Sequence, residues 1–289
     1  MIVVFGANGN TGKVVASTLL DRGAKVRVVA RDAKKVADLA ARGAEVATAD
    51  LFDVRSIAAA LRGASGAYFL VPPDPTSTDL VARGRRIVDA FAAALRQSPV
   101  AHVAVLSSVA AQHAAGTGPI VITHHAETEL QKVAGTAFTF VRAAYFIENI
   151  LGNVHPMKGD GVLPVFGGGE TYPFPMVATR DIGRVAAEAL LAPPSATQWI
   201  ELSGPKEQSM ADAAAIASEV LGRPVKPLVL PIDAMVPTLT GFGLSANVAG
   251  LYREMTEGLA KGLVAFEGKG TAVRGKVSLA DVLGPALRG

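Results

Sequence analysis

The stretch "GANGNTG", residues 6–12, stands between the strand-like run "IVVF" (2–5) and the helix-like run "KVVASTLLDRG" (13–23). Gly6, Gly9 and Gly12 fall at the spacing G-x-x-G-x-x-G. A glycine-rich turn from a strand into a helix aims backbone N–H groups and the positive end of the helix dipole at one point. That point is a site for a phosphate or pyrophosphate. Glycine permits the tight turn, a close approach of ligand to backbone, and close helix–strand packing. Asn8, Asn10 and Thr11 add side-chain hydrogen-bonding groups. A P-loop is excluded, because G-x-x-x-x-G-K-[ST] would need Gly at position 7 and Ser or Thr at position 14, where Ala7 and Val14 stand. The turn is therefore read as a dinucleotide-binding turn; the plainer reading is an ordinary strand–helix connection.

Outward from this turn, short β-branched runs alternate with helical segments. In "TGKVVASTLLDRG", Val14, Val15 and Leu19 share one side and Gly23 supplies a left-handed cap. Strands are expected at 25–31, 44–50, 66–72, 101–108, 137–143 and 198–204. Helices are expected at 33–43, 53–63 (capped by Asp53), about 78–97, about 122–134, 179–192 and 209–222 (capped by Ser209). Strands apolar almost throughout, separated by helices, imply a parallel sheet covered on both faces. The fold class is α/β: a Rossmann-type, doubly wound parallel sheet with a small, mostly helical C-terminal substrate lobe. Ligand is expected at the carboxyl ends of the strands. Residues 1–151 and 177–204 are assigned to the nucleotide domain, and 152–176 and 205–289 to the lobe. The segment 152–176, rich in Gly and Pro, is read as a surface segment over the ligand edge.

Composition narrows the function. Half of the 289 residues are apolar and 18% are charged, so a large core is available. The balance of 28 Lys+Arg against 25 Asp+Glu, with no basic tract, argues against nucleic acid as a partner. The absence of Cys excludes disulfides, thiolate metal sites and Cys nucleophiles. A strand beginning near Met1 leaves no room for a signal peptide, and the apolar tract 227–252 is broken by Pro231, Asp233 and Pro237. The expectation is a cytoplasmic protein, with no membrane partner, acting as a monomer or homodimer. No metal site is expected, since adjacent histidines point to different sides of a helix.

The end of the second strand selects the cofactor. An acidic residue there takes the ribose hydroxyls of NAD, whereas Arg pairs with the 2′-phosphate of NADP. "VVARDAKK" places Arg31 at that point, with Asp32 as a counter-signal. NADP(H) is preferred and NAD(H) stays open. Asp50 ends the third strand in "TADLFD", where it either accepts from the adenine amino group or caps the loop. Leu51, Leu70 and Val71 line the adenosine side, and Ser107, at the end of the fifth strand, either reaches the nicotinamide or satisfies backbone.

"GANGNTG", "VARDAKK", "ADLFD", "LSS", "HHAETEL", "TFVRAAYFIEN" and "TRDIGRVAAEAL", in this order, resemble the NmrA-like branch of the atypical short-chain dehydrogenase/reductases. Within it the chain is similar to quinone oxidoreductases of type 2 and to azo-dye and triphenylmethane reductases. The resemblance implies an NADP-binding Rossmann domain, a C-terminal substrate lobe, and either reductase activity or redox sensing. A typical short-chain dehydrogenase carries Tyr-x-x-x-Lys, whose Tyr protonates the oxygen formed on hydride transfer. Tyr68, Tyr145, Tyr172 and Tyr252 are followed four residues later by Pro72, Asn149, Met176 and Thr256, so the dyad is absent.

In its place the helix offers His124 and His125, the candidate catalytic residues. His125 leads, because Glu129 falls one turn later. Ala143, Ala144 and Tyr145 follow the sixth strand beside the expected nicotinamide. Tyr145, Phe146, Asn149, Phe166, Tyr172 and Phe174 are candidates for the acceptor pocket. Reducing a ketone builds a localised alkoxide that needs an acid, whereas reducing a quinone gives a delocalised phenolate that water protonates later. The expected activity is NADPH-dependent reduction of a small-molecule electron acceptor of quinone-like or other conjugated type. The alternative is an NADP(H)-binding redox sensor without turnover.

Overall fold

A computed structural model describes residues 1–289. The strands are β1 (Ile2–Phe5), β2 (Val26–Val29), β3 (Glu45–Ala47), β4 (Gly66–Phe69), β5 (His102–Ser108) and β6 (Ala137–Ala143), then β7 (Tyr145–Phe146), β8 (Val162–Phe166), β9 (Met176–Val177), β10 (Gln198–Ser203), β11 (Lys226–Leu230) and β12 (Thr271–Arg274). The helices are α1 (Asn10–Asp21), α2 (Ala37–Ala41), α3 (Val54–Leu61), α4 (Leu80–Gln97), α5 (Val121–Leu130) and α6 (Val154–Gly159), then α7 (Thr179–Leu191), α8 (Met210–Leu221), α9 (Met235–Gly241), α10 (Ala246–Ala260) and α11 (Leu279–Arg288).

Eight strands form one sheet in the order β12-β10-β6-β5-β4-β1-β2-β3, and every pairing in it is parallel. From β1 the chain builds outward to β3 on one side and, from β4, outward on the other. The strand order therefore reverses between β1 and β4, and the crevice at their carboxyl ends is where such a sheet binds ligand. Both faces are covered. Val3 and Phe5 of β1 join Val103, Val105, Phe138 and Phe140 under α3, α4 and α5. Ile2 and Val4 join Ala104 and Val141 under α1 and α7. This two-sided burial is why the strands read as unbroken apolar runs.

Helix α7 packs unusually near α1. A Cβ on Gly183 would stand 2.5 Å from the Val14 Cβ, so only glycine admits this approach. Two carboxylates then fix α7 in place. Glu148 accepts from the Thr179 backbone N–H (2.9 Å) and hydroxyl (2.6 Å) at the helix start. Buried Asp181 accepts from the backbone N–H groups of Lys276 and Val277, both at 2.8 Å.

The structure differs from the sequence expectations in three places. Residues 271–274 form the eighth strand of the main sheet, beside β10, although they fall within the stretch assigned to the lobe. Their pattern "TAVR" is exposed on most positions, so no apolar run announced a strand. The segment 152–176 is more than a surface cover: Met157, Leu163 and Met176 are buried in a third core with Ala213, Ala217, Leu279 and Leu283 of α8 and α11. There β8 pairs with β11 and β7 with β9, in two small parallel sheets. The helix expected at 33–43 is a 3-10 turn at Ala33–Val36 followed by the short α2. Residues 210–221 follow their expected capping, with Ser209 and Asp212 forming a capping box. No helix is long and apolar enough to cross a membrane.

His102, at the amino end of β5, is buried with its Nδ1 unpartnered and its Nε2 2.9 Å from the Thr139 hydroxyl. Burial pushes its pKa down to about 4. As pH falls below the ordinary histidine range, the unfolded chain takes up this proton before the folded one, so stability drops. The wild-type chain should lose about 2 kcal/mol of unfolding free energy through this group between about pH 7.5 and 5. Urea melts across that range should show a flatter pH dependence in His102→Gln.

Candidate cofactor and active site

The glycine turn leaves β1 at the crevice. Gly6 has φ 67°, a left-handed conformation, and its carbonyl accepts from the Gly9 N–H at 2.9 Å. Gly9 caps α1 without a side-chain hydrogen bond, so the first N–H groups of this 12-residue helix have no capping side chain. A Cβ on Gly12 would overlap the Gly6 carbonyl oxygen. Turn and helix are thus folded against each other as closely as backbone allows. An uncapped helix start behind a bare glycine cradle fits a dinucleotide pyrophosphate.

Around the turn, Asn8 and Asn10 are exposed. Thr11 is turned inward, where its hydroxyl oxygen accepts from Tyr68 at 2.9 Å. Its side chain anchors α1 to β4, so the threonine holds the turn in place from below. Burial raises the Tyr68 pKa and keeps the phenol a donor. Leu70, beyond β4, lies against Gly6. Val71 and Leu51 are half-buried against the core.

Arg31 is exposed beyond β2. Asp32, the acidic counter-signal, accepts from the Lys34 N–H at 3.0 Å and so caps the 3-10 turn. Asp50 similarly accepts from the Phe52 N–H at 3.0 Å. Sequence reasoning missed the rim beside them. Phe52 is an exposed aromatic with the guanidinium groups of Arg83 and Arg86 at 5.5 Å and 5.1 Å from its ring centre. Arg83 is held by Asp74 at 3.0 Å. The Thr76 hydroxyl, and then Arg83 and Arg31, keep the Asp74 carboxyl below its ordinary range. Arg83 and Arg31 therefore act on one carboxylate, with Arg86 on the neighbouring Phe52 ring, where a 2′-phosphate is expected. Only the approach of α4 to the loop after β3 assembles them, and no local motif signals it.

At the far side of the crevice, Ala143 and Ala144 are buried, and the Ala144 N–H donates to Leu202 at 2.9 Å. Tyr145 sets its ring edge-on against Phe174, with centroids 5.5 Å apart. Burial, and to a lesser degree Tyr252, raise the Tyr145 phenol to about 12, against a hydrogen bond with Asn149. Phe146 packs on the α1–α7 side of the core. Phe166 ends β8, and Tyr172 is 68% exposed. Tyr145, Asn149 and Phe174 therefore come together.

One expectation changes. Ser107 does not face the crevice: its hydroxyl, buried beneath α5, donates to Glu127 at 2.5 Å. Strand alternation decides this, because residues 103, 105 and 107 share the α4–α5 face. Of the two histidines, His125 points to α4, where its Nε2 lies 2.8 Å from the Asp89 carboxylate. His124 faces the loop after β5, its Nδ1 2.9 Å from the Ala111 carbonyl. That carbonyl requires the proton on Nδ1, which leaves Nε2 free. Ala110 in the same loop has φ 66°, a conformation rare outside glycine.

Glu127 is the hub beneath the site. Besides Ser107 it accepts from Arg142 Nε (3.0 Å) and Nη2 (2.7 Å) and from the Trp199 indole (2.9 Å). Arg142 also donates to Glu267 at 2.9 Å. Burial works against the Arg142 charge, but the two carboxylates outweigh it and raise its pKa above the ordinary value. A cleft of about 270 Å³ opens between residues 172–175 and 259–266. A wider depression of about 360 Å³ sits beside Ala101, Ala137 and Thr197, at the amino ends of β5, β6 and β10, the opposite end of the sheet from the crevice.

The parallel sheet, its order reversal and the glycine turn at the crevice define a dinucleotide-fold protein. Residues 1–261 match the NmrA-like family, and the chain belongs to it. It is 29% identical over 259 residues to an NAD(P)H azoreductase from Xenophilus azovorans, covering 88% of this chain and 86% of that one. The triphenylmethane reductase of Citrobacter sp. superposes with a TM-score of 0.81 at 19% identity, over 100% of this chain and 99% of that one. An NADPH-dependent quinone oxidoreductase from Escherichia coli, solved with NADPH, superposes with a TM-score of 0.80 at 21% identity, over 98% of each.

Removing Glu127 leaves the Arg142 guanidinium buried with half its partners. Glu127→Ala should cost about 3–5 kcal/mol in chemical denaturation. Arg142→Lys should recover little of the wild-type stability, since an ammonium cannot reproduce the two-pronged contact.

Proposed function

We propose that this chain is an NAD(P)H-dependent oxidoreductase that prefers NADPH and reduces flat, conjugated acceptors of the quinone type. The observation that carries the reading is the uncapped start of α1 behind the glycine turn, at the point where the strand order reverses. The reductase names of its relatives support the same class.

Each part of the site then has a task. Backbone N–H groups at the start of α1 bind the pyrophosphate. Arg31 pairs with the 2′-phosphate, and the arginine rim on α4 adds positive potential beside it. Leu70 and Val71 line the adenosine side. Ala143 and Ala144 present backbone and small side chains beside the nicotinamide, which supplies hydride when bound. Tyr145 and Phe174 close the crevice against water, and His124 offers Nε2 toward the acceptor. The helix α5 carries no Tyr-x-x-x-Lys dyad, and this favours an acceptor whose reduced form spreads its charge. The protein's contribution is orientation and water exclusion.

Arg31→Ala should raise KM for NADPH about tenfold and change KM for NADH less than twofold, as expected for one charge-assisted phosphate contact. Acceptor-dependent loss of NADPH absorbance, with quinones, azo dyes and aldehydes as a panel, reads this directly. Equal effects on both cofactors would contradict the NADPH preference. Cofactor binding without oxidation by any acceptor would point instead to a sensor.

A further inference from the structure

The cleft between residues 172–175 and 259–266 has aromatic and aliphatic walls. Tyr172 and Phe174 form one side, Leu259, Val264 and Phe266 the other, and Glu207 is the only charged side chain lining it. It adjoins the crevice. Phe174 meets Tyr145 edge-on, and Phe266 packs on the core layer that holds Ala143 and Ala144.

Both walls are fixed. The Gln112 side chain donates to the Ala265 carbonyl at 2.9 Å. Arg142 holds Glu267 at 2.9 Å, and the Gly268 N–H donates to buried Glu201 at 2.9 Å. On the other side, Phe174 and Gln208 exchange backbone hydrogen bonds of 3.1 Å and 3.2 Å, and the Ala211 N–H donates to the Glu170 carbonyl at 2.8 Å. The buried ion pairs beneath the sheet thus extend to the cleft and hold its wall open. A site of this kind does not have to order its walls on binding.

We infer that this cleft is the acceptor site and that it selects flat aromatic acceptors carrying no negative charge, with Glu207 setting the sign. This rests on the oxidoreductase reading above. Aromatic faces attract cations and repel anions, and the lone carboxylate adds to that preference. Glu207 is exposed, so its contribution is modest and falls as salt rises. Aromatic side chains among the lining, Tyr172, Phe174 and Phe266, offer faces on which a planar ring can stack.

The test uses the full chain and three probes that share one ring system: naphthoquinone, its sulfonate, and a trimethylammonium derivative. Affinities are measured by calorimetry with and without saturating NADP+, and KM values by NADPH oxidation. At low salt the cationic probe should bind about tenfold tighter than the sulfonate. Glu207→Gln should shrink that ratio to about threefold or less. Phe266→Ala should weaken all three probes about tenfold without changing NADPH affinity. Tyr172→Ala, at an exposed position that folding does not need, should weaken them about threefold.

Equal affinity for the three probes in the wild type would overturn the charge selection. Unchanged probe affinity in all three variants would overturn the location. Failure of the chain to bind NADP+ or NADPH would overturn the oxidoreductase reading instead, while probe binding to the cofactor-free chain would still report on the cleft.

Discussion

The closest backbone approach at the crevice is between Gly12 and the Gly6 carbonyl. Any side chain at position 12 would push the first turn of α1 off the glycine loop and swing its free N–H groups away from the crevice. The rest of the domain works to keep this arrangement. Tyr68 on β4 holds Thr11 from below through a buried hydrogen bond. Gly183 lets α7 press against Val14 from the side. Glu148 and Asp181 then pin α7 at its start and to the linker before α11. The α1 start is therefore fixed from three directions before any ligand arrives, and such pre-organisation is what an anion site at a helix terminus needs.

A second set of contacts joins the sheet to the C-terminal segments. Glu127 and Arg142 carry opposite charges in a buried layer, and neither is tolerable there without the other. Through Glu267 the pair reaches the strap that leads from α10 to β12. The motifs that mark the family resemblance are thus largely joints. "HHAETEL" supplies Glu127 and "TFVRAAYFIEN" supplies Arg142 and Glu148. "TRDIGRVAAEAL" supplies Thr179, Asp181 and Gly183. Their chemistry is that of assembly, and the site stands at the places where they meet.

What the sequence made legible follows from local physics. The glycine turn, the alternation of strand and helix, and the caps at Asp53 and Ser209 each depend on a few neighbouring residues. Strand β12 was hidden because an edge strand of mostly exposed residues has no apolar period. The burial within 152–176 was hidden because its apolar residues are spaced irregularly among Gly and Pro and find partners in α8 and α11, well outside any local period. Alternation along β5 sets the side that Ser107 takes, but that Glu127 of α5 waits there does not follow from it, and the arginine rim around Phe52 depends on how α4 lies against the loop after β3. Pairings between distant elements leave no periodic trace. The contact of His125 with Asp89 was hidden for the same reason, since it crosses two helices that sequence spacing does not relate.

The most direct measurement is a calorimetric titration of NADPH into the wild-type chain and into Gly12→Ala, with circular dichroism confirming that both are folded. The account predicts saturable binding at one dinucleotide per chain in the wild type and a loss of at least about tenfold in the variant, the helix start having been displaced. Absence of heat with both NADPH and NADH in the wild type, or equal affinity in the folded variant, would contradict it.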